Sequence, residues 1–202
     1  MAPPRFTLKQ EHIMIRQTST LTDVRSDPKA VNPLLYRFEA QLEVTPIGVV
    51  PEGLRMANSF EGRVTRGIME GARVWGIDHL LLRSDGVAVI DAQKTISQGR
   101  AHLYEHVRGY GLPPQGLQMP PLETLLDPSF AWPDVLFPVL GSSTFRAAAP
   151  ELQHLNRAIS RIDGWFSFAT GGLAIETRLV SHESSVAGPP PSSGFNKGAV
   201  GV

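Results

Sequence analysis

Residues 35–44 (LYRFEAQLEV) alternate strictly. Tyr36, Phe38, Ala40, Leu42 and Val44 are apolar, and Arg37, Glu39, Gln41 and Glu43 are polar. A two-residue period sends each set to its own face of a strand, one buried and one wet. Residues 59–65, 73–83, 87–96 and 101–110 repeat the theme. Asp85-Gly86 is a strong hairpin signal between the second and third of these, and Gln98-Gly99 turns the chain again. Consecutive strands joined this way form an antiparallel meander. Two more strands are predicted over 165–169 and 173–181, divided by Gly171-Gly172. Between them and the meander the spacing changes. Leu152, Leu155, Ile159 and Ile162 fall three or four apart behind Pro150, which predicts one short helix over 150–162.

Residues 111–144 break the rhythm with Pro113, Pro114, Pro120, Pro121, Pro128, Pro133 and Pro138. That density excludes a long helix or a central strand. The same stretch carries Leu117, Met119, Leu122, Leu125, Phe130, Trp132, Leu136 and Phe137. It reads as an ordered excursion packed over a barrel mouth or a partner, with room for a helical turn at 122–126. Residues 1–33 read as an N-terminal arm, and residues 184–202, rich in Gly, Pro and Ser, as a disordered tail. Residues 34–183 are left as one all-β domain. Many short strands with hairpin turns predict an antiparallel sandwich or barrel, and closure into a barrel would protect every edge.

Composition narrows the chemistry. Of 202 residues, 42% are hydrophobic, enough for a folded core. Nineteen basic and nineteen acidic side chains cancel, which argues against a polybasic nucleic-acid binder. Cysteine is absent, which removes disulfides, thiolate catalysis and cysteine-held metal centres. No apolar run is long enough for a spanning helix, and the first residues lack the apolar stretch of a secretory leader, so the expectation is a cytoplasmic protein. There is no Gly-rich phosphate loop and no G-x-S-x-G nucleophile setting.

Candidate chemistry sits on the strands. On 101–110, His102, Tyr104, His106, Arg108 and Tyr110 share one face. If that face lines a cavity, the histidines exchange protons near neutral pH and the tyrosines donate hydroxyls. The alternative is a solvated outer face. Asp91 interrupts an apolar strand, on the side of Val89 and Gln93. A carboxylate there must be paired or have its pKa raised. Asp78 shares a face with Leu80 and Leu82 and is the inward group of the Asp78-His79 pair if those leucines are core, with Trp75 on the His79 side. His102 and His106, four apart on a strand, are roughly 13 Å apart, too far for one ion, so no metal site is expected. Arg63, Arg66 and Arg73 form a mild basic cluster suited to an anionic ligand or to plain solvation.

The stretch SFEGRVTRGIMEGARVWGIDHLLLRSDGVAVIDAQKTI resembles the DUF3237 (UPF0311) family. The likeness rests on Phe60, Gly62, Arg63 and Gly67, on the segment ending near Asp78, on Ser84-Asp85-Gly86 and on Asp91-Ala92. A looser match runs from Phe145-Arg146 through Leu155-Asn156-Arg157 to 175–180. Together they cover roughly residues 34–181. The resemblance implies a small antiparallel β-barrel, lipocalin-like or allene-oxide-cyclase-like, with a central pocket and often a homodimer. It also implies kinship with fungal tailoring enzymes of secondary metabolism, with inward polar groups at Asp78 and Asp91. The longer excursion and the helical 152–162 depart from that pattern.

The expectation is therefore a cyclase, isomerase or lyase that needs no cofactor and acts on a hydrophobic oxygenated small molecule. Asp91, Asp78, His102, Tyr104 and His106 would do acid–base work. Arg108, Tyr110, Arg63, Trp75, Trp132 and Arg146 would bind substrate, with Trp132 over the mouth. The alternatives are a non-catalytic binding protein, or an interaction module with Leu136 and Phe137 exposed.

Overall fold

The structure, a computed structural model, describes residues 32–180. The C-terminal tail and all but the last two residues of the expected arm lie outside the described residues. The strands in chain order are β1 (Leu34–Glu43), β2 (Pro46–Val50), β3 (Gly53–Gly67), β4 (Arg73–Leu82), β5 (Ala88–Gln98), β6 (Ala101–Gly111), β7 (Phe137–Ala147), β8 (Ile159–Phe166) and β9 (Gly172–Leu179). Every pairing is antiparallel. β1 pairs with β9 on one side and β3 on the other, so the order β1-β9-β8-β7-β6-β5-β4-β3 returns on itself as a closed eight-stranded barrel. β2 is the additional strand. It pairs with β3 from Gly53 to Met56, ahead of Ser59, where β1 takes over.

Side-chain parity decides what fills the barrel. Even-numbered residues of β1, β3, β4, β5 and β8 point inward, and odd-numbered residues of β6, β7 and β9. Tyr36, Phe38, Leu54, Phe60, Val74, Leu80, Ile96, Leu103, Phe137, Phe145 and Ile162 are buried there. An eight-stranded barrel is just wide enough for its own side chains or one small ligand. Glycine makes local room. A Cβ on Gly76 would lie 2.6 Å from Cζ of Phe60 and 2.3 Å from the backbone oxygen of Gln93, so the Phe60 ring rests directly on the β4 backbone.

The excursion, residues 112–136, caps the end of the barrel where β6 stops and β7 begins. Trp132 stacks on Phe168 at 4.2 Å, and Phe168 meets Phe137 and Phe166 edge-on at 5.2 and 4.9 Å. A short 3₁₀ helix, Leu122–Leu126, lies within it and buries Leu125. A second, Pro150–Arg157, packs Leu152 and Leu155 beneath the other end.

Three sequence expectations need correction. The strand expected over 59–65 is longer and has a partner before it: 46–50 form β2, and β3 begins at Gly53 rather than near 59. Proline does not exclude a strand throughout 111–144, because β7 starts at Phe137. Pro138 sits at its second position, where a missing N–H is tolerated. The helix over 150–162 ends at Arg157, and Ile159 and Ile162 belong to β8. Their helix-like spacing spans an element boundary.

Candidate functional site

Two ionisable side chains reach an otherwise apolar lumen. The cavity measures about 50 Å³ and is walled by Phe38, Leu42, Phe60, Leu80, Ile90 and Phe166 among others, with Asp78 and Lys94 as its charged groups. A water needs roughly 10–15 Å³ on this measure, so the space holds a few waters or one short organic molecule.

Asp78 comes from β4 at the point where it faces Asn58 on β3 and Ala92 on β5. It is 7% exposed. Its Oδ1 accepts the backbone N–H of Asp91 at 3.2 Å. The β4–β5 pairing stops at Asp78–Ala92 and resumes at Leu81–Val89. The carboxyl takes up a donor in the interval where the two backbones do not pair. Burial pushes Asp78 up to about 7. The Asp91 amide acts in the opposite direction, and the charge of Asp91 adds to the rise.

Lys94 comes from β5, where it faces Gly76 on β4 and Glu105 on β6. It is 3% exposed. Its Nζ lies 3.3 Å from Oε2 of Glu105, 4.5 Å from the centre of the Phe38 ring and 5.6 Å from that of Tyr36. The Tyr36 hydroxyl donates to the same Oε2. Loss of water disfavours both charges of the pair. Burial pushes Lys94 down to about 7. It pushes Glu105 up to about 8, against a hydrogen bond from Ser143. Both shifts act toward a neutral amine beside a carboxylic acid and away from an ion pair. Aromatic faces stabilise the charged amine, and the apolar walls favour the neutral one.

The remaining predicted residues lie elsewhere. His102, Tyr104, His106, Arg108 and Tyr110 do not line the lumen; they face outward from β6. Tyr104 is 37% and Tyr110 53% exposed. The reason is parity: Leu103, Glu105 and Val107 are the inward set. Asp91 also faces outward, where His106 Nε2 meets its Oδ1 at 2.5 Å, and Ser97 Oγ meets His102 Nδ1 at 2.6 Å. The expected acid–base partners do pair, but on the outer wall. Arg63 and Trp75 are also outside: Arg63 bonds the Gly71 carbonyl at 3.1 Å, and Arg73 covers the Trp75 ring at 5.1 Å while clamping Glu61 at 2.7 and 2.9 Å. Arg146 faces outward and bonds the Phe145 carbonyl. Trp132 covers one end of the barrel. Phe137 is buried in the barrel and stacked on Phe166 at 5.1 Å, while Leu136 is exposed.

Sequence reasoning missed Lys94, Glu105 and Tyr36. The signal was present. Among residues 32–180 Lys94 is the one lysine, and it has the parity of Ile90, Ala92 and Ile96. Glu105 has the parity of Leu103 and Val107. Opposite charges on the apolar faces of one hairpin mark a buried pair.

No family model matches the chain, and no curated protein does. Solved structures do. The chain is similar to a conserved protein of unknown function from Rhodopseudomonas palustris (TM-score 0.53, 18% identity, 72% of this chain and 94% of that one). It is similar to a protein of unknown function from Clostridium acetobutylicum (0.53, 16%, 73% and 97%). It is also similar to a beta-barrel like protein from Acinetobacter baumannii (0.53, 19%, 73% and 94%). The likeness is one of fold. Among the described residues no helix is long and apolar enough to cross a membrane.

Proposed function

We propose that the barrel is a cofactor-independent acid–base enzyme, an isomerase, cyclase or lyase, acting on a small oxygenated and largely apolar molecule held in the lumen. One observation carries this reading: Asp78 is buried and lines an apolar cavity, and that burial raises its carboxyl to about 7. Such a group both gives and takes a proton at neutral pH, which general acid–base catalysis needs. Enclosure adds to its effect by excluding water. Lys94 supplies a second polar contact for a substrate oxygen. The pairing of Asp91 with His106 faces solvent and is left out of the mechanism. Membership of the DUF3237 family and a homodimer belong to the same proposal, on the sequence likeness alone, and a cytoplasmic location is proposed with them.

The second reading is a carrier that releases its ligand unchanged. The small cavity favours it, since little space is left for a substrate to rearrange. Incubation of the protein with a cell extract separates the two. Time-dependent loss of one compound and gain of its isomer or elimination product supports the enzyme. Asp78→Asn would stop conversion and keep binding, because Asn retains the oxygen that accepts the Asp91 amide. A compound retained without change over long incubation supports the carrier.

A further inference from the structure

In the proposed acid–base chemistry Asp78 moves the proton and Lys94 is a contact for a substrate oxygen. Its surroundings say more. Lys94 is the single lysine among residues 32–180, where arginine supplies every other permanently basic side chain. Arginine stays charged in proteins, whereas a buried lysine gives up its proton and becomes a nucleophile. The ammonium group has three protons to place. At 3.3 Å it has one carboxylate oxygen, shared with the Tyr36 hydroxyl, and its other close neighbours are the faces of Phe38 and Tyr36. Lys94 and Asp78 line the same cavity. A lone amine, a nearby acid and apolar walls that exclude water are what condensation with a carbonyl compound requires.

We infer that Lys94 captures an aldehyde or ketone in the lumen as an imine. This names the substrate class for the proposed lumen site and rests on that reading. The step is balanced without any further reagent. The neutral amine nitrogen attacks the carbonyl carbon, and the C=O becomes C–OH as a proton moves from nitrogen to oxygen. Asp78 then protonates the hydroxyl, the C–O bond breaks, and water leaves. The remaining N–H proton returns to the Asp78 carboxylate, giving R₂C=N–Lys94 plus water. Glu105, which accepts the Tyr36 hydroxyl beside the amine, takes up the ammonium proton of Lys94 before attack and holds it while the imine stands. The cavity volume limits the substrate to a short chain.

The test is reductive trapping on the full chain at pH 7, with butanal or 2-butanone and cyanoborohydride, followed by peptide mapping. Lys94 is expected to carry the adduct at least ten times faster than Lys9, Lys29 or Lys197. Asp78→Asn should slow trapping at Lys94 about tenfold and leave the other three lysines unchanged. Lys94→Met should remove the fast phase. Binding of 1-butanol and 2-butanol, which have the shape and no carbonyl, is measured in parallel by thermal shift and by protection of Lys94 from trapping. If the alcohols bind the lumen and the carbonyl probes leave Lys94 no faster than the other lysines, the imine is overturned and the lumen site stands. If neither alcohol nor carbonyl probe enters, the lumen reading and the imine both fall.

Discussion

Asp78→Asn also tests the electrostatics of the lumen without knowledge of any ligand. In the folded barrel Asp78 sits near 7, against an ordinary value of 3.8 for an unfolded chain. A carboxyl raised on folding contributes stability that is fully present below 3.8 and is lost as pH rises through about 7. At roughly 1.4 kcal/mol per pH unit the full loss is about 4 kcal/mol. Some of that is gone by pH 5, which leaves about 3 kcal/mol between pH 5 and pH 8. Asparagine does not titrate. Its buried amide carries a cost of its own, about 1–3 kcal/mol, but that cost is the same at both pH values. Glu105 and Lys94 titrate in both proteins and cancel in the comparison. Urea unfolding of wild type and variant at pH 5 and pH 8 gives the difference directly. The wild type should lose about 3 kcal/mol relative to the variant over that interval. A difference that stays constant within about 0.5 kcal/mol would refute a neutral, buried Asp78.

Three further outcomes follow from the same geometry. Gly76→Ala drives a methyl group into the Phe60 ring and the β5 backbone, and should cost about 3 kcal/mol in urea unfolding; full stability would mean that Phe60 moves away freely. Trp132→Ala removes the half-buried ring that stacks on Phe168, and should lower stability by about 2 kcal/mol while speeding capture of butanal at Lys94; unchanged capture would show that the excursion does not guard the lumen. Asp91→Asn and His106→Ala break a pair on the outer wall, and should shift stability by less than about 1 kcal/mol with no effect on trapping at Lys94; a loss of trapping would return the chemistry to the outer face.

The barrel was legible because its strands alternate cleanly and its hairpins carry strong turn residues, as at Asp85-Gly86. Asp78 was legible because leucines share its face. The His102–Tyr110 row was misplaced for a simple physical reason. Alternation separates two faces but does not say which is inside, and Leu103 and Val107 outweighed the polar set only once the wall closed around them. Lys94 and Glu105 were overlooked because each alone looks like a surface charge. Their joint burial depends on the β5–β6 register, which brings them opposite each other. β7 was hidden by Pro138, whose effect on a strand depends on its position at the strand start.

The gap in the β4–β5 ladder links the two sides of the wall. Asp78 stands inside and Asp91 carries the outward partner of His106, yet the Asp91 amide is bonded to the inner carboxyl. Its proton and nitrogen resonances should therefore follow the charge of Asp78, giving a spectroscopic gauge of the hidden acid that needs neither substrate nor label in the cavity. A compound that enters and alters that charge would be detected from the backbone of a residue whose own side chain looks out into water.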